Sequence, residues 1–269
     1  MIKLSIFYVR RWCILFSEEI NKVSISAVKK SELLKKSKIR YLTAAALAGV
    51  FVGFGILLIF TIGGSLSAAK SPATKIIMGA SFGIALSLVI MAGSELFTGN
   101  NMTMTIGALE KKVSWLDSTN IWIYSFIGNF VGSVALAAIF VGAGLAKGST
   151  ANFILKVSQG KMAVPSMELF FRGILCNMLV CLAVWCAIKL KEETAKLIMI
   201  FWCLFAFITT GFEHSIANMT LLSVALMIPH TAAISIGGLA HNLIWVTLGN
   251  FVGGAVFIGA AYWFIANEK

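Results

Sequence analysis

The sequence predicts an all-α integral membrane protein whose six spans form an inverted repeat of three, with the second and fifth helices broken. Composition sets the class. Hydrophobic residues make up 59% of the 269-residue chain and charged residues 12%, with a mean hydropathy of +0.91. A soluble domain carries an apolar share nearer half and about twice the charge. The architecture follows from internal repetition. The pentapeptide Gly-Asn-Phe-Val-Gly occurs at 128–132 and again at 249–253, an offset of 121. A second shared word, Asn101-Met102-Thr103 and Asn218-Met219-Thr220, precedes it at an offset of 117. Landmarks recurring in the same order mark a duplicated half, and duplicated halves in a membrane chain point to a transport fold with its site where they meet.

A span needs about 20 apolar residues in a helix. Six stretches qualify: 41–64, 76–96, 121–144, 169–190, 197–226 and 239–266. Three crossings per half is an odd number, so the second half enters the membrane upside down. The chain divides into a basic N-terminal segment (1–40), a first three-helix repeat (41–145), an outer connecting loop (146–166) and a second repeat (167–269). Ten basic and three acidic residues precede residue 41. Lys189, Lys191, Lys196 and Lys269 add to the same side, which places both termini in the cytoplasm of a multi-pass protein of the cell's inner (plasma) membrane.

The net charge of +11 raises the question of nucleic acid, but no soluble basic module with aromatic residues is present to bind it. Contact with anionic lipid headgroups is the plainer reading. Residues 20–34 form an amphipathic helix expected to lie on the membrane or on a neighbouring subunit. The apolar stretch 2–16 is broken by Arg10-Arg11 and lacks a small-residue cleavage site, so a cleaved signal peptide is not expected. Cys176, Cys181 and Cys186 recur every five residues, which scatters them around a helix, and they read as packing residues. Three dispersed histidines offer no metal-ligand spacing. No metal or cofactor is expected.

The chemistry must lie where polar residues interrupt the apolar runs. The first interruption is Gly93-Ser94-Glu95-Leu96-Phe97-Thr98, and the second is Gly211-Phe212-Glu213-His214-Ser215. Aligning the Asn-Met-Thr words sets Phe97 opposite His214 and Leu96 opposite Glu213, so both halves break at the same place. A helix broken in lipid is tolerated only where protein or a water-filled cavity satisfies its backbone. The N-terminus of its second half-helix points partial positive charge there, which favours an anion. Glu95 and Glu213 are expected to accept the orphan N–H groups of the breaks. His214 is an ionisable group at mid-membrane inside a break of the repeat. That position makes it functional, as a donor to an anion or a proton relay, rather than a neutral imidazole closing the break. Arg172 and Glu168, four apart on one helix face, read as a structural ion pair.

The stretches Glu95-Leu96-Phe97-Thr98, Gly211-Phe212-Glu213-His214-Ser215-Ile216-Ala217-Asn218-Met219 and Gly249-Asn250-Phe251-Val252-Gly253 resemble signatures of the formate/nitrite transporter family. The resemblance runs from about Ser26 to Phe264. It implies an aquaporin-like protomer and a homopentamer with one pore per protomer. By position it assigns His214 to the central pore histidine and Thr98 to the threonine of the first break. Lys161 falls on the vestibule lysine, in the outer loop, and Asn177 on the asparagine near the histidine. Phe82, Leu86, Leu96, Phe97, Val180 and Phe207 fall on the apolar constrictions. Glu95 stands where some members have Asp, which keeps the charge.

The resemblance implies a channel or transporter for a small inorganic or carboxylate anion, with membrane lipid and further copies of the chain as its other partners. Hydrosulfide leads as substrate, with formate or nitrite beside it, and a proton-coupled formate/nitrite transporter is the alternative. A neutral-solute pore lacks its paired Asn-Pro-Ala words here. An intramembrane enzyme would need a nucleophile or metal constellation that the chain does not spell.

Overall fold

The computed structural model describes residues 2–267, with side chains from residue 16 onward. The described residues form ten helices and no strand. The first five are α1 (Ile2–Lys36), α2 (Lys38–Ala68), α3 (Thr74–Gly93), α4 (Phe97–Leu109) and α5 (Trp115–Gly142). The second five are α6 (Gly148–Met162), α7 (Ser166–Lys189), α8 (Glu193–Thr210), α9 (Ser215–Met227) and α10 (Ile236–Ala266). Helices α2, α3, α5, α7, α8 and α10 are long and apolar enough to cross a membrane. The predicted fifth span is α8 followed by α9, and the second continues past its predicted end into α4.

Local signals place the helix ends. Ser37 accepts from the Arg40 N–H to start α2, Ser114 and Asp117 form a reciprocal capping box on α5, and Ser235 accepts from the Gly238 N–H to start α10. Each such cap satisfies one of the N–H groups that a helix start leaves unpaired. Both breaks open on a glycine with positive φ, Gly93 at 81° and Gly211 at 84°, a conformation that side chains with a Cβ resist.

The two halves match element by element. Helices α4 and α9 begin at 97 and 215, an offset of 118, and Gly93 and Gly211 share it. The register of the breaks is therefore 118 rather than 117. Leu96 stands opposite His214 and Glu95 opposite Glu213; the shared Asn-Met-Thr words are slipped by one residue.

Two further expectations are corrected. The segment 146–166 is not an open loop, because Gly148–Met162 is helical. The apolar face of α1 covers its own protomer rather than the bilayer or a neighbour. Ile20 and Val23 are buried with Met102 and Ile106 of α4, Trp185 of α7 and Ile258 of α10.

The repeated pentapeptide marks where each half is tightest. A Cβ on Gly132 would sit on the Ala46 carbonyl oxygen, and one on Gly249 on that of Phe170. So α5 closes on α2, and α10 on α7, to backbone contact. Small residues permit that approach in a membrane bundle.

Candidate functional site

Close approach lets the asparagine of each pentapeptide reach a break. Asn129 Oδ1 accepts from the Phe97 N–H at 2.9 Å, while its Nδ2 donates to the carbonyls of Ala45 (2.7 Å) and Glu95 (2.8 Å). Asn250 repeats the pattern: Oδ1 accepts from the Ser215 N–H at 2.9 Å, and Nδ2 donates to the carbonyls of Gly173 (2.8 Å) and Glu213 (2.9 Å). The Glu95 and Glu213 N–H groups donate to the carbonyls of Ala44 and Arg172. The breaks are thus sealed by two asparagines, not by the glutamate side chains expected to do so. An amide supplies donor and acceptor together, whereas an ionised carboxylate only accepts.

The carboxylates take charged partners instead. Lys30 of α1 donates to both oxygens of Glu95 at 2.8 Å, and Asn100 and the Tyr41 hydroxyl add bonds to one of them. Lys161 of α6 donates to both oxygens of Glu213 at 2.7 Å, joined by Asn218. Each break glutamate therefore holds a lysine from the half's leading helix and the asparagine five residues on. Lys161 belongs to a helix's last turn, not a loop, and its charge is matched by Glu213. Lys30, Asn100, Asn129, Asn218 and Asn250 were not singled out from sequence. Their signal was available in the Glu-to-Asn spacing of five shared by both halves and in the asparagine of the repeated pentapeptide.

His214 is buried at the start of α9, and Nδ1 accepts from the Ala217 N–H at 3.2 Å. With Nδ1 accepting, a neutral ring carries its proton on Nε2, which lies 3.0 Å from the Thr98 hydroxyl. This contact joins the two halves. The Phe207 ring stacks beside the imidazole, with centroids 6.0 Å apart, and meets Phe82 edge-on at 5.5 Å. Asn177 does not reach the histidine: Nδ2 donates to the Thr98 carbonyl at 3.2 Å and the Asn250 carbonyl at 2.6 Å, so it holds the backbone behind Thr98.

Val52, Phe82, Leu86, Leu96, Val180 and Phe207 line a cavity of about 10 Å³ together with His214. That is the least space one water needs. Phe97, assigned to the same constriction, is buried edge-on against Phe126 at 5.3 Å instead. The register explains this: Leu96 is the counterpart of His214 and faces the slit, so the next helical residue turns about 100° away. Larger spaces flank the slit. One of about 170 Å³ is lined by Lys161, Glu213, Phe207 and His214, and one of about 400 Å³ by Lys30, Glu95, Leu86 and Leu96. The arrangement is a narrow apolar slit with one polar lining residue, His214, which is bonded to the buried Thr98, set between two vestibules that each hold a lysine–glutamate pair.

The sequence model described as formate/nitrite transporter matches residues 17–264. The chain belongs to the formate/nitrite transporter family. It is similar to the nitrite transporter NirC of Escherichia coli (strain K12), 44% identical over 251 residues that cover 93% of this chain and 92% of that one. Among solved structures, one titled FNT family ion channel has a TM-score of 0.88 at 42% identity, covering 92% of this chain and 98% of that one. Another, titled pentameric formate channel with formate bound, has a TM-score of 0.77 at 30% identity, covering 86% and 98%. Within the formate/nitrite transporter family these proteins are named as transporters and channels, not as enzymes.

Proposed function

We propose that each protomer conducts a small monovalent weak-acid anion from the Lys161 vestibule, through the slit, to the Lys30 vestibule. Nitrite is the first substrate on this reading, because a relative covering nearly the whole chain at 44% identity carries that name. Formate follows from the second structural neighbour, and hydrosulfide is small enough to share the slit. The protein works as a homopentamer in the inner membrane with both termini cytoplasmic. The assembly rests on the pentameric neighbour and the sidedness on the lysine bias.

The observation that carries the proposal is His214, the polar lining residue of an otherwise apolar constriction, held by a contact to the buried Thr98. A bare anion in such a slit faces a desolvation penalty of several kcal/mol. The Nε2–H of His214, turned from the Thr98 hydroxyl to the anion, lowers that penalty by a charge-assisted hydrogen bond. Protonation of the anion on its way through would lower it further, and the vestibules leave room for that exchange. A second proton on His214 would have to sit on Nδ1 and would cost the bond to the Ala217 N–H. This supports His214 as a hydrogen-bond donor over a carrier that delivers its own proton.

Reconstitution tests it. Liposomes containing the purified protein should take up nitrite above empty controls, with formate and hydrosulfide competing and lactate competing less, across a pH series. Absence of flux for all of these anions would overturn the proposal.

A further inference from the structure

We propose that Lys75 is the anion-capturing cation of the Lys161 vestibule and that it gives the two ends of the pore unequal charge. The inference rests on the transport reading above.

The fold's pseudo-symmetry makes the charge comparison simple. The Lys30 vestibule is lined by one cation and one anion, Lys30 and Glu95, and they neutralise each other at 2.8 Å. The Lys161 vestibule repeats that pair with Glu213 at 2.7 Å and adds a third charged side chain, Lys75. Lys75 is exposed and makes no ion pair among the described residues. One vestibule is therefore balanced and the other carries an uncompensated positive charge.

Its place on the helix argues against a stabilising role. Lys75 is the second residue of α3, whose first turn holds no acidic residue. The partial positive charge of a helix N-terminus disfavours a cation there. A lysine set against the helix dipole with no carboxylate partner is unfavourable for the free protein and favourable once an anion arrives. Both fields point the same way. Low-dielectric walls concentrate such a field at a mouth and raise the local concentration of the opposite charge. Lys161, locked in a bidentate pair, positions Glu213 and the end of α6 and contributes little net attraction at a distance.

The test is saturation kinetics of nitrite entry from the Lys161 side in liposomes of zwitterionic lipid, for the wild type, Lys75→Gln and Lys75→Arg. At low ionic strength Lys75→Gln should raise the half-saturating concentration about threefold, the effect of one unit charge near a mouth, with the maximal rate unchanged. The difference should vanish in about 1 M salt, where screening acts within roughly 3 Å, and Lys75→Arg should retain the wild-type curve. A Lys75→Gln curve that superimposes on the wild type at low salt, or a loss that persists at high salt, overturns the inference. So does a difference confined to vesicles of anionic lipid, which would make Lys75 a headgroup contact. Wild-type protein that passes none of the anions overturns the transport reading along with it, whereas failure of the variant alone leaves that reading standing.

Discussion

His214 commits its two ring nitrogens to different duties: Nδ1 caps α9 through the Ala217 N–H, and Nε2 meets the Thr98 hydroxyl beside the slit. Substitutions can separate them. His214→Phe removes both, so anion flux should fall to near background and the cap loss should cost about 1 kcal/mol of stability. Asparagine is among the best helix caps, so His214→Asn should keep the fold while shortening the donor's reach. Retained flux with altered pH dependence in the Asn variant would indicate that a neutral donor suffices. Abolished flux in a folded Asn variant would show that the imidazole itself handles a proton, against the donor reading. Flux assays at two pH values, beside thermal melting of each variant, decide it. Wild-type flux and pH response in both variants would reduce His214 to a cap. The sequence made this residue legible because an ionisable group in an apolar run has few innocent reasons to be there. It misread Glu95 and Glu213, because the reach of a side chain from another helix decides which acceptor closes a break.

Among the elements, α5 and α10 do more than cross the membrane, since each lends an asparagine to the broken helix beside it. Replacing Asn129 or Asn250 by Leu would leave two backbone groups of a break unpaired in an apolar interior, the Phe97 N–H and Glu95 carbonyl or the Ser215 N–H and Glu213 carbonyl, at about 1–3 kcal/mol each. Either variant should melt well below the wild type or fail to yield folded protein, as read by thermal unfolding in detergent. A melting temperature equal to the wild type's for both would sink this account of the breaks. The six spans and both breaks were readable from hydropathy and shared words. The register was not. A one-residue slip between two amphiphilic helix starts leaves composition unchanged; the positive-φ glycines and the glutamate–asparagine pairs of the breaks, Glu95–Asn100 and Glu213–Asn218, fix the offset at 118. That single residue decides that Leu96 faces the slit and Phe97 turns to Phe126. The helical 148–162 segment was hidden for another reason: it is too short and polar to read as a span, and its packing on α2 is what orders it.

Across the whole molecule, large apolar side chains such as Phe54, Ile139, Trp202 and Phe264 are exposed on the protomer surface, and lipid or further copies must cover them. Purified in mild detergent, the protein should have a mass five times the 29.0 kDa of one chain after correction for bound detergent. A dominant monomer or dimer by light scattering or native mass spectrometry would count against the pentamer. The way each half closes its own break also bears on how the chain is made. Residues 30–129 contain Lys30, Glu95, Asn100 and Asn129, so the first break has its ion pair and its amide seal before any of the second half is needed. When α5 leaves the translocon, that half can rest in lipid with few backbone groups waiting for partners. The second half then inserts the other way up, with α6 packing on α2, and its docking brings His214 to Thr98. Biosynthesis is in this sense a two-step assembly, and the pore comes into being only at the second step.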